Sequence, residues 1–349
     1  MLEVVRTFGL LGIIGIGGPA AHIAMMRRRV VQRDGWVNED DFARLVGACA
    51  LVPGPNSTEM AMALGGRRAG WRGLVAGGVS FIVPAFVIVC AVAWLYGDVL
   101  TSATIAEVRR WAVPVVAAIV LDALWSLRAT AVRDRRDALI MTMAFAAAML
   151  GVPELVVLAA AGALGMAVRA GPAASRTEVS LAPLLLALVS PSLIKILLVF
   201  LQIGSVIYGS GYVLLVFLES EVVDRGWIST EVLIDAISVG QFTPGPVFTT
   251  ATFIGWHLAG VAGAAVATIG IFGPSFAFAA LVDRVVAFAD RSQLFAAFLR
   301  AVSSSSIALM VVVIWRLADE ALVDWVAVAT FVVAFLVLRL RPLRLIRVR

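Results

Sequence analysis

Runs of about twenty apolar residues recur from one end of the chain to the other, at 8–26, 73–96, 196–218, 262–282 and 294–315. Each is long enough to cross a hydrocarbon layer ~30 Å thick. Backbone polar groups find no water there, so such runs are expected to be helices that satisfy their own hydrogen bonds. Composition agrees where it is needed: 61% of the 349 residues are hydrophobic and 15% charged, with a mean hydropathy of +0.99. The expected fold is an all-α polytopic membrane protein with no soluble domain. The first run carries Gly17-Gly18-Pro19 and leads into Arg27-Arg28-Arg29 without a small-residue cleavage site, so it is read as mature structure and not as a signal peptide.

Several function classes drop out on inspection. The net charge of +5 comes from arginine, Lys195 being the single lysine, and in a bilayer protein such a surplus marks cytoplasmic loops before it marks a nucleic-acid partner. Cys49 and Cys90 sit alone in apolar segments, which suits packing and neither a disulfide framework nor a metal site. The histidines are His22 and His257, and HExxH, GKS/T, GxSxG and CxxC patterns are missing from the chain. No enzyme and no cofactor are expected, and any work done must draw on an ion gradient.

Sliding the chain on itself by 191 residues superposes Gly18 on Gly209, Gly35-Trp36 on Gly226-Trp227, Pro53-Gly54-Pro55 on Pro244-Gly245-Pro246, and Thr58 on Thr249. At a shift of 190 the matches continue with Pro84 on Pro274, Phe86 on Phe276, Arg110 on Arg300 and Trp125 on Trp315. Two related transporter halves are expected, residues 1–175 and 176–349. The loop 27–44 carries Arg27, Arg28, Arg29, Arg33 and Arg44, while its copy at 219–235 carries Arg225 among Glu219, Glu221, Asp224, Glu231 and Asp235. Positive charge faces the cytoplasm, so the halves are expected to be inverted. Crossings at 8–26, 73–96, 108–127, 138–151 and 153–168 place the N-terminus outside and the basic C-terminal tail in the cytoplasm.

Residues 42–64 have basic flanks at both ends, Arg44 and Arg67-Arg68, so a crossing is disfavoured. Broken at Pro53-Gly54-Pro55, the segment becomes two arms of ~15 Å, half the hydrocarbon thickness, and so a re-entrant hairpin. Residues 233–256 mirror it through Pro244-Gly245-Pro246 from the other side, with both tips near the midplane.

Pro55 and Pro246 are expected as first residues of the second arms, leaving free N–H groups on Asn56, Ser57 and Thr58 and on Val247, Phe248 and Thr249. Two positive helix ends lined by hydroxyls of Ser57, Thr58, Thr249 and Thr250 suit a tetrahedral oxyanion. Gly18-Pro19 and Gly209, Gly211 and Tyr212 hold repeat-related positions and are expected to open N–H groups toward the same cavity. Glu59 is read as a proton-coupling residue or as a structural acceptor at the tip; His22 is read as a packing residue or as a second proton carrier. Arg110 and Arg300 are candidate anion-attracting charges. Glycines 12, 15 and 18 suit close helix packing, and Ser303–Ser306 either packing or cavity lining.

The stretches "GIGGPAAHIAMMRRRVV", "GWVNEDDF", "LVPGPNSTEMAMALGGRRAGWRG", "GSGYVLLVFLESEVVDRGWIS" and "VGQFTPGPVFTTATFIGW" resemble the chromate ion transporter family in its two-domain form. The resemblance covers residues 8–86 and 200–276 closely. It implies secondary active efflux of chromate across the bacterial inner membrane, giving chromate resistance, with sulfate as the physiological look-alike and the two halves in opposite orientations. The family's glutamine three residues before PGP is Ala50 in the first half and Gln241 in the second, which shifts weight toward second-half polar groups. The implied partners are chromate or sulfate, protons and the lipid bilayer, with no nucleic acid and with a homodimer as a compatible assembly. Import of another oxyanion, a passive anion channel and a membrane chromate reductase are the competing readings; no flavin, haem or metal motif supports the last.

Overall fold

The computed structural model describes residues 1–131, 135–170, 192–207, 214–321 and 324–340. Among them the secondary structure is helical throughout. The expected half boundary at 175/176 lies outside the described residues, as do Gly209, Gly211 and Tyr212.

The first half runs α1 (Leu2–Ile14), α2 (Gly18–Met26), a π-helical turn (Arg27–Arg33), α3 (Glu39–Cys49), α4 (Asn56–Trp94), α5 (Ser102–Ala131), α6 (Arg135–Met149) and α7 (Glu154–Ala170). The second runs α8 (Leu193–Val206), α9 (Leu214–Leu218), another π turn (Glu219–Val223), α10 (Thr230–Phe242), α11 (Thr250–Arg291), α12 (Gln293–Ala321) and α13 (Trp325–Leu340). The repeat extends to single caps. Asn38 Oδ1 accepts the Asp41 N–H at 2.8 Å to start α3, and Ser229 Oγ accepts the Val232 N–H at 3.4 Å to start α10.

Both long helices conceal a reversal. In α4, Ala69 and Gly70 leave helical geometry, Gly70 at φ 63°, and in α11 Ala259 and Gly260 do the same, Gly260 at φ 59°. Beyond each turn the chain doubles back, because a Cβ on Gly65 would come 2.2 Å from the Gly73 carbonyl and one on Gly77 would come 2.4 Å from that of Ala61. Gly255 and Gly263 repeat the contact in α11. Lipid does not push helices together, so backbones approach this closely only where side chains are absent. The arms before the reversals complete hairpins with α3 and α10. The arms after them are the crossings: Trp71–Trp94 would reach about 36 Å. Val75, Val79, Val83 and Val87 form an exposed stripe on that arm, as lipid contact requires.

The first apolar run departs from expectation. Residues 8–26 are not one crossing: α1 ends at Gly15, and α2 with its π turn runs back beside it. Phe8 and Trp36 meet edge to face at 6.1 Å, Arg68 stacks over Trp36, and Arg68 also pairs with Glu3 at 2.8 Å. Glu3, Trp36 and Arg68 therefore share one end of the molecule, so the N-terminus lies on the side of the arginine-rich loop and not opposite it. The mirror hairpin in the second half is tied by Gln202 to Glu221 at 3.3 Å.

The two ends differ in charge. Arg27, Arg67 and Arg68 pair with Glu39, Asp283 and Glu3 at the basic end. At the far end of α4, Tyr96 and Arg109 meet Asp235 near the mouth of the second hairpin, beside Glu219, Glu221 and Asp224. The hairpins thus enter from opposite ends. Arg110 pairs with Asp324 and Arg339 with Asp122, so α13 runs parallel to α5 and ends at the basic end. The main apolar core draws on both halves, from Met62, Ile82 and Val89 to Phe200, Phe217 and Phe272, so the halves interlock.

Candidate functional site

Each Pro-Gly-Pro ends one helix and starts another, since the prolines cannot donate and the glycine takes a backbone angle closed to other residues: φ 134° at Gly54 and 102° at Gly245. The Gly54 N–H donates to the Ile207 carbonyl at 2.7 Å, and the Gly245 N–H donates to the Gly15 carbonyl at 2.8 Å. Ile207 and Gly15 cap α8 and α1, so each loop is fastened to the break in the other half's first hairpin. Reciprocal contacts of this kind are what a two-fold relation between halves demands. A Cβ on Gly54 would fall 2.3 Å from Glu59 Oε1 and 2.8 Å from Ser275 Oγ; one on Gly245 would fall 2.3 Å from the Ala85 methyl. Ser275 and Ala85 each follow the repeated proline inside a crossing arm, Pro274 or Pro84.

The sequence expectations meet this geometry unevenly. Pro55 and Pro246 precede their helices as caps instead of beginning them, and a 3-10 turn, Val247–Thr249, comes before α11. The Thr58 and Glu59 N–H groups both donate to the Pro55 carbonyl, at 2.7 and 3.0 Å, and the Thr249 N–H donates to Pro246 at 3.0 Å. The free amides expected on Thr58 and Thr249 are thus spent, which leaves those of Ser57, Val247 and Phe248 at the tips.

Side chains divide the two tips further. Thr249 and Thr250 turn their hydroxyls onto the Pro246 and Val247 carbonyls at 2.9 and 2.8 Å. Thr58 Oγ1, both Glu59 carboxyl oxygens and Ser275 Oγ are buried without a hydrogen-bond partner. The unsatisfied groups therefore gather at the first tip, contrary to the weight given to second-half groups; Gln241 is buried in the last turn of α10. Such groups are costly unless a ligand, water or proton serves them.

His22 sits as a packing residue would, with its Nδ1 buried and without a hydrogen-bond partner. Its Nε2 donates to the Gly15 carbonyl at 3.0 Å, beside the Gly245 N–H on the same oxygen, and its ring meets Phe81 edge-on at 5.3 Å. Gly17 and Gly18, at φ 111° and 73°, make the sharp break, with Pro19 in the first turn of α2. Arg110 is half-exposed and spent on Asp324, whose carboxyl is held below its usual range first by the Ala327 N–H and then by Arg110. Arg110 therefore does not face the tips; Arg300 is half-buried on α12. Ser304, Ser305 and Ser306 bond back to carbonyls one turn earlier, the packing alternative.

Two features escaped the sequence. Ser275 was visible only as the polar member of the aligned pair Ala85/Ser275. The cluster of Arg109, Asp235 and Tyr96 joins residues too far apart in the chain to suggest one another: Arg109 bonds Asp235 through two nitrogens at 2.9 and 2.6 Å and Glu231 at 2.8 Å. Among the described residues no group of three or more His, Cys, Asp or Glu is placed to hold a metal.

Comparison with known proteins gives a consistent picture. A family model described as "Chromate transporter" matches residues 2–166 and again 194–348. A "Chromate transport protein" of Pseudomonas aeruginosa is 29% identical over 88% of this chain and 79% of its own. A "Probable chromate transport protein" of Synechococcus elongatus is 30% identical over 78% and 73%, and a "Chromate transport protein" of Cupriavidus metallidurans is 28% identical over 92% and 84%. No solved structure matches the chain.

Proposed function

The chain belongs to the chromate transporter family, a family of membrane transporters and not of enzymes, and from that premise we propose that it exports chromate across the bacterial inner membrane, driven by the proton motive force. The observation that carries the mechanism is the reciprocal fastening of Gly54 to Ile207 and Gly245 to Gly15. It supports an oxyanion site where two helix starts converge from opposite ends, with the remaining amides of Ser57 and of Val247 and Phe248 as donors. Positive helix ends stabilise a dianion without a full cation in the membrane. Rocking of one half against the other about the crossed loops would expose that site alternately to the two ends. Glu59, a carboxyl buried beside the site, is the proton-carrying group.

Charge asymmetry supports the basic end as the cytoplasmic one, which puts both termini of the described chain inside. Sulfate is the nearest competitor for the site, because charge and shape barely separate tetrahedral dianions. The test is radiolabelled chromate and sulfate flux into everted vesicles, with and without an uncoupler. Chromate accumulation that the uncoupler abolishes is expected; flux no greater than in vesicles lacking the protein would sink the proposal. Glu59→Gln should leave flux that no longer responds to an imposed pH gradient, and an unchanged gradient response would remove Glu59 from the coupling step.

A further inference from the structure

Glu59 and Ser275 come from different halves and meet at Gly54, and the symmetry-related corner at Gly245 lacks both, the titratable group there being His22, bonded to the Gly15 carbonyl. There Glu59 is replaced by Thr250, whose hydroxyl is already bonded, and Ser275 by Ala85. Only one of the two corners therefore carries an acid and free hydroxyls. One helical turn from this cluster, a groove of about 380 Å³ opens at the basic end between the second arm of the first hairpin and α11. Ala63 and Ala279 line it, each four residues from Glu59 or Ser275 on the same helix face, and the Arg67–Asp283 pair spans it at 2.7 Å with both side chains more than half exposed. The acidic end carries a clasp instead. Asp235 is buried under the two-nitrogen grip of Arg109 and the Tyr96 hydroxyl, tying α4 and α5 to the second hairpin. The repeat-related residues Arg44 and Leu299 cannot build such a clasp at the basic end.

We infer that Glu59, Thr58 and Ser275 form a single proton site shared by both halves, and that the groove is its route to water, at the basic end, in this conformation. The inference rests on the transporter reading. A hydronium in the groove gives its proton to the Glu59 carboxylate and leaves as water; the Thr58 and Ser275 hydroxyls, unbonded in this conformation, are the groups available to accept from the neutral acid or donate to the carboxylate. A metal cation is disfavoured because the four side-chain oxygens of Glu59, Thr58 and Ser275 fall short of the six or so that a hard cation takes. Cys49, buried at the end of α3, is a titratable group near Glu59. Asp283 lies two turns out along α11 and Arg67 two turns out along the hairpin arm.

The test uses full-length protein with Cys49 and Cys90 replaced by alanine, in vesicles of both orientations, treated with a membrane-impermeant thiol reagent. An Arg29→Cys control reports which face is the basic end. Gly66→Cys, whose Cβ would have only ordinary contact with Leu74, should react from the basic end alone. Ser275→Cys should react from that end too, more slowly, and Ala85→Cys from neither. Reaction of Ser275→Cys from the acidic end, or failure of both groove cysteines to react, overturns the route. Ser275→Ala should shift the pH midpoint of chromate flux by about one unit, a tenfold change in proton affinity; an unmoved midpoint, or flux that requires sodium, overturns the site. Absence of chromate flux in the parent protein would defeat the transporter reading instead, and the labelling pattern would still stand or fall by itself.

Discussion

Gly54 shows how much one residue carries. It holds φ 134°, gives its N–H to the opposite half and leaves a space in which Glu59 and Ser275 sit 2.3 and 2.8 Å from where a Cβ would be. Gly54→Ala combines a left-handed backbone penalty of about 1–2 kcal/mol with that collision, so transport should be lost and the melting temperature in detergent should fall. Gly47→Ala, on α3 with nothing within 4 Å, should melt within a degree or two of the parent. At this scale the sequence was informative for residues whose chemistry is anomalous in lipid. Glu59 stood out because an acid in an apolar run needs a reason. Ser275 did not, because a serine in such a run is unremarked until its cross-half neighbour is known.

Elements were legible where punctuation was strong. Pro-Gly-Pro with basic flanks indicates a hairpin at 42–64 and its repeat a mirror hairpin at 233–256, and the helices found there, α3 with the first arm of α4 and α10 with that of α11, match. The same logic failed at residues 8–26, where hydropathy sees one apolar run and the chain makes a hairpin about Gly15–Gly17. Apolar content is unchanged by a reversal, so it cannot report one. Gly17-Gly18-Pro19 marks the reversal in the sequence, but a Gly-Gly-Pro run there is equally compatible with close helix packing or with opening N–H groups to a cavity. Close glycine contacts hold the reversals. Gly73→Val should cost about 1–3 kcal/mol through overpacking against the Gly65 carbonyl, 2.0 Å from the added Cβ, and should lower the thermal midpoint in detergent. Gly66→Ala on the same arm meets only Leu74 at 3.5 Å and should be close to neutral.

For the molecule, the inverted arrangement follows from which ends share partners. Arg68 reaches Glu3 at one end while Arg109 reaches Asp235 at the other. Cysteines at Arg29 and Glu221 should therefore label from opposite sides of the membrane, and one at Glu3 from the same side as Arg29. Labelling of Glu3→Cys from the Glu221 side would restore the single crossing once expected for residues 8–26.

Sequence alone determined that this is a helical membrane protein, that its halves are copies, where the paired breaks fall and that the two ends differ in charge. These are local or additive properties, readable from composition, spacing and self-comparison. Tertiary structure decided that the first apolar run turns back, that each broken loop is held by the opposite half, and that unsatisfied oxygens collect at one tip only. Those depend on contacts between residues far apart in the chain, such as Gly54 with Ile207 and with Ser275. Symmetry in the sequence predicts two equivalent corners; packing, together with the exchange of Glu59 for Thr250 and of Ser275 for Ala85, makes them different.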